Sequence, residues 1–146
     1  MIATNLIPLP AILFILTISA SAKTCFDCLC STGGNECKDK PCSVENGIEF
    51  CGYFHLSQDF YVDCGLVERS DAENLTVAFK RCASDLECSK KCINNYYQKY
   101  HSNCDGKSKC NDVFKLMKGG VNGCNNEALN SQWQAVLECY DKNEDF

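Results

Sequence analysis

The sequence predicts a small α+β domain stapled by disulfides. Three observations predict it: 14 cysteines in 146 residues, a hairpin signal in the first part of the chain, and helical patterns confined to the second. With a leader of 22 residues set aside, cysteine rises to about 11% of the chain. That exceeds the roughly 8–10% that marks a secreted disulfide scaffold. The count is even, so every thiol can be bridged. Such thiol density would not stay bridged in a reducing cytosol, which excludes a cytosolic enzyme. The remaining length of about 124 residues suffices for one modest core and one domain, residues 23–146.

Each element follows from its own stretch of chain. Met1 to Ala22 reads as a secretory signal peptide. Ala11 to Ile18 is its apolar core, and Ala20-Ser21-Ala22 is a small-residue cleavage site. The apolar run is too short for a membrane span and is interrupted by Pro8 and Pro10. In the first part of the domain, Cys25 to Gly65, Asn46-Gly47 is a strong two-residue turn pair. After it Ile48, Phe50, Gly52, Phe54 and Leu56 alternate with Glu49, Cys51, Tyr53 and His55, predicting a strand with one apolar face. A Cys42–Cys51 bridge would staple that hairpin.

Between Cys64 and Cys82 the polar stretch Val67 to Thr76 reads as a loop. It carries the sequon Asn74-Leu75-Thr76, an expected glycosylation site if exposed. Ser84-Asp-Leu-Glu87 reads as a capping box opening a helix to about Tyr100, with Cys88 and Cys92 one turn apart. Ser108 caps a shorter helix in which Cys110, Val113, Phe114 and Met117 share a face, and Gly119-Gly120 ends it. A last helix from about Asn126 places Leu129, Trp133, Val136, Leu137 and Tyr140 on one stripe.

Charge and motif exclude several function classes. The net charge of −5, with no block of like sign, argues against nucleic-acid binding and against a cationic attack on membranes. Cys25-x-x-Cys28-x-Cys30 has the look of a zinc or redox motif, but His55 and His101 stand outside any zinc-ligand grid. In an oxidising compartment bridging outweighs metal, so no metal and no cofactor is predicted. No G-x-S-x-G element or Cys/His pair supports hydrolysis by a serine or cysteine nucleophile. Candidate carboxylates for acid–base work are Glu36, Asp39, Glu45, Glu49, Asp59 and Asp63. His55 is predicted to face away from the apolar side of the hairpin.

The cysteine order, with Cys25-Phe-Asp-Cys28-Leu-Cys30, Cys51-Gly-Tyr-Phe54, Asp63-Cys64-Gly65, Cys82-Ala-Ser-Asp85, Cys88-Ser-Lys-Lys-Cys92, Tyr96-Tyr-Gln-Lys-Tyr100 and Gly119-Gly-Val-Asn-Gly-Cys124, resembles invertebrate-type lysozymes, the destabilase family. The resemblance spans nearly the whole domain. It implies a lysozyme-like α+β fold with a short hairpin region, about three to five helices, and a glycan cleft between them. It also implies seven bridges: Cys25–Cys110, Cys28–Cys139, Cys30–Cys37, Cys42–Cys51, Cys64–Cys92, Cys82–Cys88 and Cys104–Cys124.

At the positions that carry the family's chemistry the sequence departs from the pattern. Active members have a glutamate general acid three residues after the third cysteine; that position is Gly33 here. The partner carboxylate, an aspartate in the family, is Glu45, one methylene longer. That extra length disturbs the separation of roughly 5–5.5 Å that retaining chemistry requires. The serine and histidine assigned to isopeptidase activity in some members are Ile48 and Met117. The expectation is a secreted lysozyme-family protein of defensive or digestive type. Its partner would be bacterial peptidoglycan or another glycan, held near Tyr53, Phe54 and His55, with glycosidase activity weak or lost. The alternative is an active muramidase with Glu36 as relocated acid, which needs a dry pocket around Glu36. A monomer is expected.

Overall fold

The computed structural model describes residues 23–31 and 36–139; the expected signal peptide, Gly33 and Tyr140 lie outside them. The chain begins with a six-residue helix, α1 (Cys25–Cys30). Thr24 and Asp27 form a reciprocal capping box: the Asp27 N–H donates to Thr24 Oγ1 at 3.3 Å and the Thr24 N–H to Asp27 Oδ2 at 3.0 Å. Cys25, Phe26, Cys28, Leu29 and Cys30 are all buried. With apolar groups around most of the helix there is no stripe to read, and periodicity passes over it.

Strands β1 (Ser43–Glu45) and β2 (Ile48–Cys51) form the predicted hairpin. Both turn residues have positive φ, 52° at Asn46 and 81° at Gly47, the combination an Asn-Gly pair tolerates best. Ser43 pairs with Phe50 and Glu45 with Ile48, while β3 (Leu56–Ser57) adds an antiparallel edge to β2. The long alternating strand expected from Ile48 to Leu56 is corrected here. Strand β2 stops at Cys51, and Ile48 is 48% exposed rather than on an apolar face. Gly52 turns the chain at φ 77°, where a Cβ would come within 1.8 Å of the Ala83 carbonyl oxygen. That turn, not strand alternation, is what sends Phe54 and Leu56 into the core.

The helices that follow are α2 (Gln58–Asp63), α3 (Leu75–Ala83), α4 (Leu86–Tyr100), α5 (Lys109–Gly119) and α6 (Leu129–Cys139), six α-helices in all among the described residues. The upper expectation was five. Helix α3 lies partly in the stretch read as a loop; Asn74 caps it, its Oδ1 accepting from the Thr76 and Val77 N–H groups at 2.9 and 3.3 Å. The expected Ser84–Glu87 capping box does not form. Ser84 closes α3, its N–H donating to the Lys80 carbonyl, and Asp85 caps α4 by accepting from the Cys88 N–H at 2.7 Å. Ser108 caps α5 as predicted, and Gly120, at φ 65°, ends it. Helix α6 starts at Leu129, three residues later than Asn126, which instead caps a preceding turn through the Ala128 N–H.

Side chains from the helices meet in one core around Tyr61, Phe79, Ile93, Phe114 and Val136. Phe60 stacks on Tyr96 at 4.1 Å between ring centres, and Phe114 lies 5.6 Å from Trp133. The Tyr61 hydroxyl donates to the Val67 carbonyl, so its burial leaves no donor unpaired. Seven disulfides pair as the family resemblance implies. No helix among the described residues is long and apolar enough to cross a membrane.

Gly52→Ala should abolish folding or cost more than about 3 kcal/mol, because the clash is with backbone rather than a movable side chain; urea unfolding of the variant measures it. A second expectation concerns Asp63, which pairs with Lys99 and accepts from the Tyr100 hydroxyl at 2.9 Å. These hydrogen bonds, Lys99 first, hold its pKa below the ordinary aspartate value. The stability they contribute is present above the unfolded-state pKa and is lost as pH falls through the lower folded value. Asp63→Asn should therefore lower the melting temperature at pH 7 and flatten its decline below about pH 4.

Candidate functional site

The residues that turn the chain after β2 also build a cleft. Gly52 fixes the turn against α3, and the Tyr53 N–H donates to the Ala83 carbonyl at 3.2 Å. His55, at φ 57°, is thrown back across the hairpin and stacks on Phe50 with ring centres 4.8 Å apart. Its Nε2 lies 3.3 Å from Glu45 Oε1 and 3.2 Å from Ser43 Oγ. Hairpin pairing produces this contact, since Glu45 ends β1 on the strand that His55 folds over.

Beneath the turn is a cavity of about 150 Å³. Leu29 and Cys30 of α1 form one wall and Tyr53, Phe54 and His55 another, with Lys40 and Lys118 completing it. Phe54 is only 3% exposed and meets Phe26 edge-on at 5.7 Å, so it is a core side chain that shows the cavity one edge. Tyr53 and His55 are half-buried and offer polar tips.

The electrostatics are cationic. Burial lowers the His55 pKa most, Glu45 opposes that, and Lys118 and Lys40 lower it further. The imidazole is therefore neutral at neutral pH. Lys118 is pulled down as well, first by loss of water around its ammonium, although the residue as a whole is exposed, and then by Lys40.

The expected site residues divide. Glu45 stands at the cleft beside His55 with 57% of its side chain exposed. Glu36 is 79% exposed and faces Lys38, out in water rather than in the dry pocket a relocated acid needs. Of the other candidate carboxylates, Glu49 pairs with Lys80, Asp63 with Lys99, and Asp39 and Asp59 are exposed. Ile48 is exposed and Met117 half-buried, neither offering a nucleophile or base. Asn74 is exposed at the start of α3. Among the described residues two clusters bring metal-ligand side chains together, Cys42–Glu49–Cys51 and Cys104–Asp112–Cys124, but in each the sulfurs are bridged and have no thiolate to give. Sequence reasoning missed Lys40 and Lys118, which belong to no motif and meet only through the tertiary fold.

Residues 22–139 match the family described as Destabilase. Invertebrate-type lysozyme 2 of Caenorhabditis elegans is 31% identical over 130 residues, covering 88% of this chain and 93% of the relative. Invertebrate-type lysozyme 3 of the same organism is 30% identical over 126 residues, covering 85% and 90%. The crystal structure of Tapes japonica lysozyme aligns with a TM-score of 0.66 at 27% identity, covering 85% of this chain and 99% of that one.

The charge balance around His55 gives a direct check by NMR titration of the imidazole. Glu45→Gln should move its pKa further down, and Lys118→Met should move it up. Movement in the opposite directions would mean that these groups do not face one another.

Proposed function

The chain belongs to the destabilase family, and from that premise we propose that this lysozyme-like protein is secreted and binds peptidoglycan or a related glycan with weak or lost glycosidase activity. The observation that carries the reading is the state of the acids. By the family resemblance, Gly33 stands where active members hold the glutamate that protonates the leaving oxygen, and glycine has no proton to give. Glu36, the nearest substitute, is largely in water and opposite a lysine. A general acid for this chemistry needs a carboxyl kept protonated by a dry environment. Losing it costs about 10²–10⁴ in rate.

The binding half of the reading rests on the cleft. A cavity walled by an aromatic ring, an imidazole and two ammonium groups suits a sugar better than an apolar ligand. Seven bridges favour an oxidising compartment. Glycosylation at Asn74 fits the same compartment: capping uses the side-chain oxygen, and the amide nitrogen is the atom a glycan would join. The acidic balance, with an isoelectric point near 5.0, suits an acidic lumen, where repulsion from an anionic cell wall weakens.

Cell-wall lysis measured from about pH 3 to 8, beside an active family member, should run at about one-hundredth of the relative's rate or less. Pull-down on insoluble peptidoglycan should still retain the protein. Lysis at the relative's rate, abolished by Glu36→Gln with Glu45→Gln, would establish the working muramidase instead.

A further inference from the structure

A second cavity, of about 240 Å³, lies apart from the cleft and shares no lining residue with it. Three stretches of chain build it. Asn103 and Asp105 come from the segment after α4, Asn111, Asp112 and Lys115 from α5, and Asn125 from the turn that follows α5. The Cys104–Cys124 bridge ties the first stretch to the last. Asp112 is the unusual residue. It is 3% exposed, and its Oδ2 has no hydrogen-bond partner; neither has Oδ1 of Asn111 beside it. Among the described residues these are the two buried side-chain oxygens left without a partner, and both belong to this one cavity.

A carboxylate held out of water needs positive charge as well as hydrogen bonds. Burial and then the Asp105 carboxylate work against the charge on Asp112, and the Gly106 N–H, Lys115 and His101 offset them only in part. Water can bond to both unpartnered oxygens, but it brings no charge. A cation brings both, and further ligands stand around it. Asn103 commits its amide nitrogen to the Val121 carbonyl at 3.0 Å, which keeps its oxygen for a ligand. Asp105 accepts from the Lys107 N–H at 3.1 Å and has lone pairs to spare. The cavity wall has no imidazole, and its one sulfur is bridged, so every ligating side chain offers oxygen. Oxygen-only sets suit hard cations. Calcium accepts roughly six to eight such ligands in flexible geometry, whereas magnesium demands a near-ideal octahedron. Ligands drawn from three separate stretches suit the former. We propose that this cavity binds a calcium ion, with Asp112 as its buried anionic ligand and Asp105, Asn103, Asn111 and Asn125 supplying further oxygens.

Titration calorimetry of the oxidised protein, first stripped with EGTA, tests it with calcium chloride and magnesium chloride as probes. Two carboxylates opposed by Lys115, with Asp105 also paired to Lys107, put calcium in the weak class of extracellular modules, Kd about 10⁻⁴–10⁻³ M. Magnesium should bind about tenfold or more weakly. Asp112→Asn should abolish calcium binding, and Lys115→Met should tighten it about threefold, because a like charge leaves the site. Should either variant misfold, the unmodified protein still decides. About 10 mM calcium should raise its melting temperature above the value in sodium chloride of equal ionic strength. Heats and melting temperatures that do not distinguish calcium from sodium would mean that the cavity takes water only, and would overturn the proposal. Calcium binding that survives Asp112→Asn unchanged overturns the site, and magnesium binding as tight as calcium overturns the choice of ion.

Discussion

Three cysteines on one six-residue helix hold this fold together. From α1, Cys25 reaches α5 through Cys110, Cys28 reaches the end of α6 through Cys139, and Cys30 closes onto Cys37. A helix this short has no stability of its own. The first two bridges span 85 and 111 residues. In the chain-entropy account, closing loops of that length removes about 4–5 kcal/mol of freedom from the unfolded chain per bridge. The core can then remain small. Because α1 is fixed, its Leu29 and Cys30 are fixed too, and they are the wall on which the cleft is built.

The opposite wall is set by a different constraint, the near-contact of Gly52 with the end of α3. Together with the Cys42–Cys51 staple it throws His55 back over the hairpin onto Phe50 and Glu45. Both walls are backbone and disulfide devices, indifferent to the chemistry of the side chains that line the space between them. The framework can therefore persist while those side chains change. Lys40, Lys118 and a neutral imidazole line the space, with the Glu45 carboxylate beside the imidazole.

Local chemistry was readable where it acts alone. Asn46-Gly47 marks the hairpin, Ser108 and Gly120 bound α5, a cap signal with the Cys88 and Cys92 spacing gives α4, and apolar periodicity gives α6, each to within a few residues. Short elements were not readable. Helix α1 is apolar on most of its surface, α2 has six residues, and α3 hides behind a polar lead-in whose Asn74 serves as a cap. The Ser84 reading failed because two helices meet there, and competition between them moved the cap to Asp85. The disulfide pairing came from the family resemblance, since spacing alone permits many pairings of 14 cysteines. Of the site, Tyr53, Phe54, His55 and Glu45 were visible as residues. The lysines facing them were not, because their meeting is tertiary.

On the proposed reading the framework keeps a glycan cleft, and the family resemblance puts Gly33 where the general acid would stand. Restoring the family's pair of acids with Gly33→Glu and Glu45→Asp in one chain, then measuring cell-wall lysis, tests it most directly. The account predicts lysis rising by about 10² or more over the unmodified protein. A folded variant that remains inert, or an unmodified protein that already lyses as fast, would contradict it.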